Sequence, residues 1–386
     1  MGSQTFSIYI HVPFCQKKCH YCAFDSTSDR SCDFQSWLKA LHRDLDIQAR
    51  CLGRGSHQVT SLFFGGGTPS ILPPEMIEQI LLHVRKLWPL GDAVEITLEA
   101  NPESTTYAKL KSWRSAGINR LSLGVQALED HRLALLGRPH DSQQTRRAFA
   151  AAREAGFANI NLDLIHGSPG HTPEMWEEEL GLAMALGPEH LSCYALTVEP
   201  GTPLERQLHT HPWTLPDEET TATLHFLTQR LLEDQGWKRY EISNYARSGY
   251  ACRHNLDIWL SGDYLGVGPA AHGRITLEDG SVIRNHNHWP LETYIYSLKS
   301  GQSPCRWVEL SSLEEAGADC LLMGLRLMSG IPRHLYRELA GRDLLDGKAK
   351  EAEFLVKEGF LQLDAQTIRL SPKGLDFLDS CLASLI

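Results

Sequence analysis

The fold is decided by the stretch SIYIHVPFCQKKCHYC at residues 7–22, where an apolar run is followed at once by closely spaced cysteines. The apolar part, residues 7–14, is too short to span a membrane and predicts a buried strand. The loop that leaves the carboxyl end of this strand carries the cysteines Cys15, Cys19 and Cys22.

Outward from this strand, the chain alternates apolar runs with segments of helical period. The runs cover residues 7–14, 61–64, 94–98, 120–125, 159–165 and 190–198. The helical segments cover residues 34–51, 74–87, 105–116, 143–156, 174–186 and 218–235. Six repeats of strand and helix predict a parallel sheet with right-handed crossovers. Periodicity alone leaves an open barrel and a doubly wound sheet as alternatives.

The pattern changes after Gly236, which predicts a first domain at 1–236 and a second at 237–386. Residues 274–284 predict a hairpin. From about residue 311, helical segments are followed by a ribbon and a last helix, an order that resembles a winged helix.

Composition disfavours a nucleic-acid-binding protein. The 386 residues carry 37 Lys and Arg against 47 Asp and Glu, a net charge of −10, and the candidate recognition helix balances its lysines with glutamates.

No stretch has the pattern of a secretory signal or a transmembrane segment, so we expect a cytoplasmic protein. Its ten cysteines are then expected to be thiols or metal ligands rather than disulfides.

The cysteine spacing is typical of metal chemistry. Structural zinc usually takes paired knuckles and four protein ligands, and only His11 or His20 is at hand as a fourth. An iron-sulfur cluster normally takes four cysteines, so three would leave one iron open to a ligand. The spacing favours a cluster, with zinc as the alternative.

Polar or glycine residues mark the ends of the following strands. The run Gly65-Gly-Gly-Thr-Pro69 follows the second strand, Glu99 and Gln126 end the third and fourth, and Asp163 lies on the fifth. Each alone could be a structural polar group. Because carboxyl ends of parallel strands form the active face of α/β barrels, the set predicts a site for a polar cofactor with ribose hydroxyls and an amino-acid moiety.

Together these motifs resemble the radical S-adenosylmethionine (SAM) superfamily, in the branch of oxygen-independent coproporphyrinogen III oxidases and their heme chaperone relatives. The resemblance rests on residues 9–22, 65–69, 99–102, 124–126, 137–138, 161–163, 240–245, 254–259 and 266–273. It implies an α/β fold with an open six-stranded parallel (β/α)6 barrel. A smaller α+β C-terminal domain that ends in a winged-helix-like module would follow.

The resemblance also implies cofactors. The three cysteines would hold a [4Fe-4S] cluster whose open iron binds SAM, and one electron would cleave SAM to a 5′-deoxyadenosyl radical. The residues expected to bind cofactors are Tyr9, Tyr21, Gly66, Gly67, Thr68, Glu99, Gln126, Arg138, Asp163 and His254. In the oxidase, a second SAM is met by the positions that match Gly67, Thr68, Gln126, Arg138 and Asp163.

Two departures from the oxidase favour the chaperone group. The oxidase has a fourth cysteine where this chain has Phe24. The oxidase also has an N-terminal extension before its first strand, whereas the first strand of this chain begins by Ser7. We therefore expect a chaperone that carries heme as cargo to acceptor proteins, with a flavodoxin or ferredoxin as electron donor. The alternative is coproporphyrinogen decarboxylation.

The heme contact is expected at His254, in a His-Asn-x-x-Tyr-Trp motif of the chaperones that here has Ile258 in place of the tyrosine. Cys252 offers a thiolate alternative, and His272 is the next candidate. The other interpretation of His254 is a structural residue that forms hydrogen bonds between domains.

Overall fold

The computed structural model describes residues 4–29, 33–52 and 57–386. The strands are β1 Gln4–Val12, β2 His57–Gly66, β3 Glu95–Ala100, β4 Arg120–Gln126, β5 Ile160–His166, β6 His190–Ala195, β7 Lys238–Arg239, β8 Asn244–Ala246, β9 Tyr264–Val267, β10 His272–Thr276, β11 Val282–Asn287, β12 Cys305–Ser311, β13 Ile331–Pro332, β14 Leu361–Leu363 and β15 Thr367–Leu370.

The α-helices alternate with the first six strands and then become irregular in spacing. They are α1 Phe34–Leu52, α2 Pro74–Leu87, α3 Tyr107–Ala116, α4 Asp130–Leu135, α5 Ser142–Glu154, α6 Pro173–Ala185, α7 Pro203–Thr210, α8 Glu218–Asp234, α9 Arg253–Trp259, α10 Leu291–Lys299, α11 Leu313–Gly324, α12 Arg333–Ala340, α13 Leu345–Lys357, α14 Pro372–Asp376 and α15 Leu378–Leu385.

The first six strands pair in parallel and in chain order, from β1 to β6. A doubly wound sheet reverses its strand order at a switch point, and this run does not. The predicted parallel (β/α)6 arrangement is therefore confirmed. The sheet continues beyond both ends of the run, because β9 pairs in parallel with β1 and β8 pairs in antiparallel with β6.

One large core lies between the sheet and its helices. Strands β4 and β5 are buried along almost their whole length, as parallel strands covered on both faces are. The core also takes in the indoles of Trp37, Trp88, Trp113 and Trp176. A capping box at Asp141 fixes the start of α5, one of the helices that cover the sheet.

The C-terminal part has a core of its own, which includes Leu321, Ile331, Leu355 and Ile368. Here α11, α12 and α13 pack with a small antiparallel sheet of order β13-β15-β14. This is the predicted winged-helix-like module. The domain boundary at residue 236 stays a prediction, and the large sheet continues past it into β7 to β12.

Within the described residues, none of the helices has the length and apolar character that crossing a membrane requires.

Candidate functional site

A cavity of about 380 Å³ opens at the carboxyl ends of β1 to β6. The structure brings to its walls every predicted cluster or cofactor residue except Tyr9 and His254. These lining residues are Cys15, Cys19, Tyr21, Cys22, Gly66, Gly67, Thr68, Glu99, Gln126, Arg138 and Asp163. Residues far apart in the sequence thus meet because parallel strands deliver their ends to one edge of the sheet.

The cysteine loop is closed at its base by backbone hydrogen bonds. The amide of Cys15 donates to the carbonyl of Thr27 at 2.9 Å, and the amide of Thr27 donates to the carbonyl of Pro13 at 2.7 Å. On its far side, the amide of His20 donates to the carbonyl of Leu136 at 3.0 Å. The loop is therefore held at both sides while its three thiols face the cavity.

Two side chains donate to the cysteine sulfurs. The guanidinium of Arg138 donates from Nη1 to Sγ of Cys19 at 3.2 Å, and the hydroxyl of Thr68 donates to Sγ of Cys15 at 3.6 Å. Burial, together with the neighbouring sulfurs of Cys19 and Cys15, raises the pKa of Cys22, while the amide of Phe24 opposes this shift. A nearby cation and hydroxyl donor suit sulfurs that must become thiolates to bind iron.

The three sulfurs do not form a mononuclear site. In the ranges that the structure describes, no three side chains of His, Cys, Asp or Glu lie close enough together to hold one metal ion. In a [4Fe-4S] cluster each cysteine binds a different iron, so the ligands stand around the cluster rather than around one point. The donor set of three half-buried thiols on one loop fits that group.

Asn101 joins the two donors, a role that the sequence does not predict. Its amide nitrogen donates to Oγ1 of Thr68 at 3.3 Å, and its carbonyl accepts from Nη2 of Arg138 at 2.7 Å. The same Nη2 donates to the carbonyl of Gly124 at 2.8 Å. The run 99–102 contains Asn101, but only Glu99 was assigned a role there, since a sequence does not show which neighbours an amide bonds.

The glycine run packs tightly against the start of the cysteine loop. The amide of Gly67 donates to the carbonyl of Val12 and that of Thr68 to the carbonyl of Phe14, both at 2.7 Å. A Cβ on Gly67 would lie 2.7 Å from the Phe14 oxygen, and Gly66 has a φ of 103°. Any side chain would thus push this loop away from the cysteines.

Glu99 and Asp163 place two carboxyls inside the cavity wall. Burial, reinforced by Asp163, raises the pKa of Glu99 to about 8, although the amide of Gly66 donates to it. Burial also raises the pKa of Asp163, against hydrogen bonds from Asn161 at 2.8 Å and Ser122 at 3.1 Å. Two such carboxyls would ionise readily on meeting a cationic ligand, and SAM carries an ammonium and a sulfonium group.

Tyr9 and His254 do not line the cavity. The Tyr9 ring lies beside the rings of Phe63 and His254, with centroids 6.2 and 6.3 Å away. Burial, and then the charge of Glu99, raise the pKa of Tyr9. Tyr9 therefore supports the wall near Glu99 from behind.

His254 is 3% exposed and belongs to α9, which closes the amino end of the strands. Its Nδ1 lies 2.8 Å from Oγ of Ser61, and its ring stacks on Phe63 at 5.0 Å. The carboxylate of Glu95 accepts from the amides of Arg253 and His254 at 3.0 and 3.1 Å. Ser61 lies near the middle of β2 and precedes Gly66 by five residues of strand, roughly 16 Å, so the His254 ring does not reach the cavity.

Comparison with known families places two matches on the chain. Residues 9–183 match the family model described as "Radical SAM superfamily", and residues 312–377 match the model described as "HemN C-terminal domain".

Several named proteins are similar over nearly the full chain. A heme chaperone HemW from Haemophilus influenzae is 33% identical over 384 residues, which cover 97% of this chain and 96% of that protein. One from Bacillus subtilis is 34% identical, covering 95% and 96%. The mitochondrial radical S-adenosyl methionine domain-containing protein 1 of Danio rerio is 35% identical, covering 98% and 86%.

Among solved structures, the coproporphyrinogen III oxidase HemN from Escherichia coli superposes with a TM-score of 0.84. That likeness covers 99% of this chain and 90% of the other at 22% identity, so it shows a common fold.

Proposed function

We propose that this chain is a heme chaperone. The chain belongs to the radical S-adenosylmethionine superfamily. Within it, the chain belongs to the coproporphyrinogen III oxidase-like branch, which includes the HemW proteins. It would hold a [4Fe-4S] cluster and SAM in the cavity and deliver heme to acceptor proteins. The observation that carries the proposal is the convergence of the three cysteines with Glu99, Asp163 and Arg138 in one cavity.

The residues of the cavity divide into two groups. Cys15, Cys19 and Cys22 would hold the cluster, which supplies one-electron chemistry when it is bound. Arg138 and Thr68 donate to two of the sulfurs and so tune them.

The second group would bind SAM. The backbone of Gly66 and Gly67 offers an approach without side chains, and Glu99 and Asp163 offer carboxyls for its cationic groups. Gln126 and Tyr21 line the same walls.

The alternative activity is oxygen-independent coproporphyrinogen oxidation. Only the fold shared with the oxidase supports this alternative. Phe24 stands where the oxidase has its fourth cysteine, lines the cavity and is 66% exposed. The named relatives with full coverage are chaperones or SAM-domain proteins. Both points support the chaperone function. Heme acceptors and an electron donor stay predictions. Cytoplasmic localisation also stays a prediction, because relatives are named both from bacteria and from mitochondria.

One anaerobic preparation tests the proposal. After reconstitution with iron and sulfide, the full chain should be brown and oxygen-sensitive, and Cys19→Ala should abolish the colour. The same preparation should bind hemin. About one zinc without sulfide would contradict the cluster, and a chain without affinity for hemin would contradict the chaperone.

A further inference from the structure

A pair of stacked imidazoles lies on the sheet beyond β1. Strands β10 and β11 are antiparallel and place His272 opposite His286. Their ring centroids are 4.1 Å apart, with planes only 11° from parallel. The next strand, β12, places Trp307 opposite His286, and its indole lies 6.0 and 5.9 Å from the two imidazoles. We call the face formed by His272, His286 and Trp307 the histidine platform.

The platform is open on one side. His272 is exposed, His286 is half-buried, and Trp307 is 38% exposed. By contrast, His254 is 3% exposed behind α9. A ligand can therefore reach the platform without displacing a helix.

The platform adjoins the cysteine loop. His11, at the end of β1, lies near enough to His286 for the two rings to influence each other electrostatically. On its other side, Nε2 of His11 lies 2.8 Å from the carbonyl oxygen of Asp25, just after the cysteines. His11 also fills the space beside Gly66 of the cavity. A molecule on the platform would thus sit next to the cluster loop.

We propose that the histidine platform binds the heme that the chaperone carries, with His272 or His286 as axial ligand and Trp307 as aromatic wall. The inference rests on the proposed function and assigns its cargo site. A heme iron brings four nitrogens of its porphyrin and needs only one or two ligands from protein. One imidazole of the stacked pair meets that requirement, whereas a structural zinc takes four protein ligands.

Size and protonation agree with this occupant. Three neighbouring strands at about 4.8 Å spacing span about 10 Å, a width comparable with a porphyrin ring. Partial desolvation, then the neighbouring His286 ring, lower the pKa of His272; Asp25 opposes the shift, while Arg284 and His11 add to it. A neutral imidazole keeps the lone pair that iron needs.

The test titrates the full chain, without cluster, with hemin and records the affinity and the position of the Soret band. The double variant His272→Ala/His286→Ala should bind hemin at least tenfold more weakly and lose the Soret position of a histidine-ligated heme. Trp307→Ala should weaken binding by a smaller factor. His334→Ala, at an exposed histidine of α12, is the matched control and should behave as wild type, as should His254→Ala.

The outcomes separate this inference from the proposed function. A wild-type chain without affinity for hemin contradicts the function itself. Wild-type affinity and spectrum in a folded double variant, or loss of both in a folded His254→Ala variant alone, overturn the platform and leave the function standing. If the double variant does not fold, the variants His272→Cys/His286→Gln and His272→Gln/His286→Cys decide: a shift to a thiolate spectrum in either supports the platform, and an imidazole spectrum in both overturns it.

Discussion

Asn101 connects the two side chains that donate to cysteine sulfurs, although it touches no sulfur itself. It donates to Thr68 and accepts from Arg138, and these residues donate to Cys15 and Cys19. A single amide therefore fixes the orientation of both donors. Its loss would leave a buried guanidinium without its shortest hydrogen bond.

We expect Asn101→Ala to weaken SAM binding by the cluster-loaded protein about tenfold, the effect of losing two hydrogen bonds, one of them to a charged group. Isothermal titration under anaerobic conditions measures this. Asn119→Ala is the control, because Asn119 also forms two hydrogen bonds, at 2.7 and 2.8 Å, but to the backbone before and at the start of β3. Equal SAM affinity in Asn101→Ala and wild type would remove Asn101 from the site.

Glu99 should make the ligand-free protein less stable as the pH rises. Its folded pKa of about 8 lies above its ordinary value of 4.5, so between these values the folded state binds more protons than the unfolded state. Stability from this group is present at low pH and is lost as the pH rises towards 8. Full burial would make the loss about 4 kcal/mol, and the open cavity reduces it to about 2 kcal/mol.

Thermal unfolding of wild type and Glu99→Gln at pH 5 and pH 8 checks this sign. The variant should gain stability relative to wild type at pH 8 and little at pH 5. Asp163, Tyr9 and Arg120 also influence this carboxyl, so the difference between the two proteins is the informative quantity. A gain confined to pH 5 would contradict the direction of the pKa shift.

The helix α9 packs against the amino-terminal side of the strands, and His254 anchors it there. His254→Ala removes a buried ring that stacks on Phe63 and bonds Ser61, so we expect a loss of about 2–4 kcal/mol in the free energy of unfolding. Urea denaturation measures it. The same substitution at exposed His272 should cost below about 0.5 kcal/mol. Equal stability of the two variants would contradict the conclusion that His254 stabilises the packing of α9.

The strand ends were predictable, whereas contacts between distant elements were not. Cys15, Glu99 and Asp163 follow or lie on apolar runs, and parallel strands bring such positions to one edge whatever the details of packing. The facing of His272 and His286 depends on the register of a hairpin, and the burial of His254 depends on where α9 docks. Neither leaves a periodic signal in the sequence.

For the whole molecule, we expect no conversion of coproporphyrinogen III to protoporphyrinogen IX, although the fold is that of the oxidase HemN. Phe24 offers no thiol where the oxidase has its fourth cysteine. Product analysis by fluorescence after anaerobic incubation with SAM and a reductant measures the activity, and Cys19→Ala provides the cluster-free background. Turnover well above this background would make the oxidase the better assignment.

The central claim is that one chain carries both a cluster at Cys15, Cys19 and Cys22 and a heme as cargo. The most direct measurement is the content of iron, sulfide and heme in the reconstituted full chain after anaerobic incubation with hemin and gel filtration. We expect a stoichiometric heme that stays with the chain together with cluster iron and sulfide. A chain that keeps its cluster and elutes without heme would contradict it.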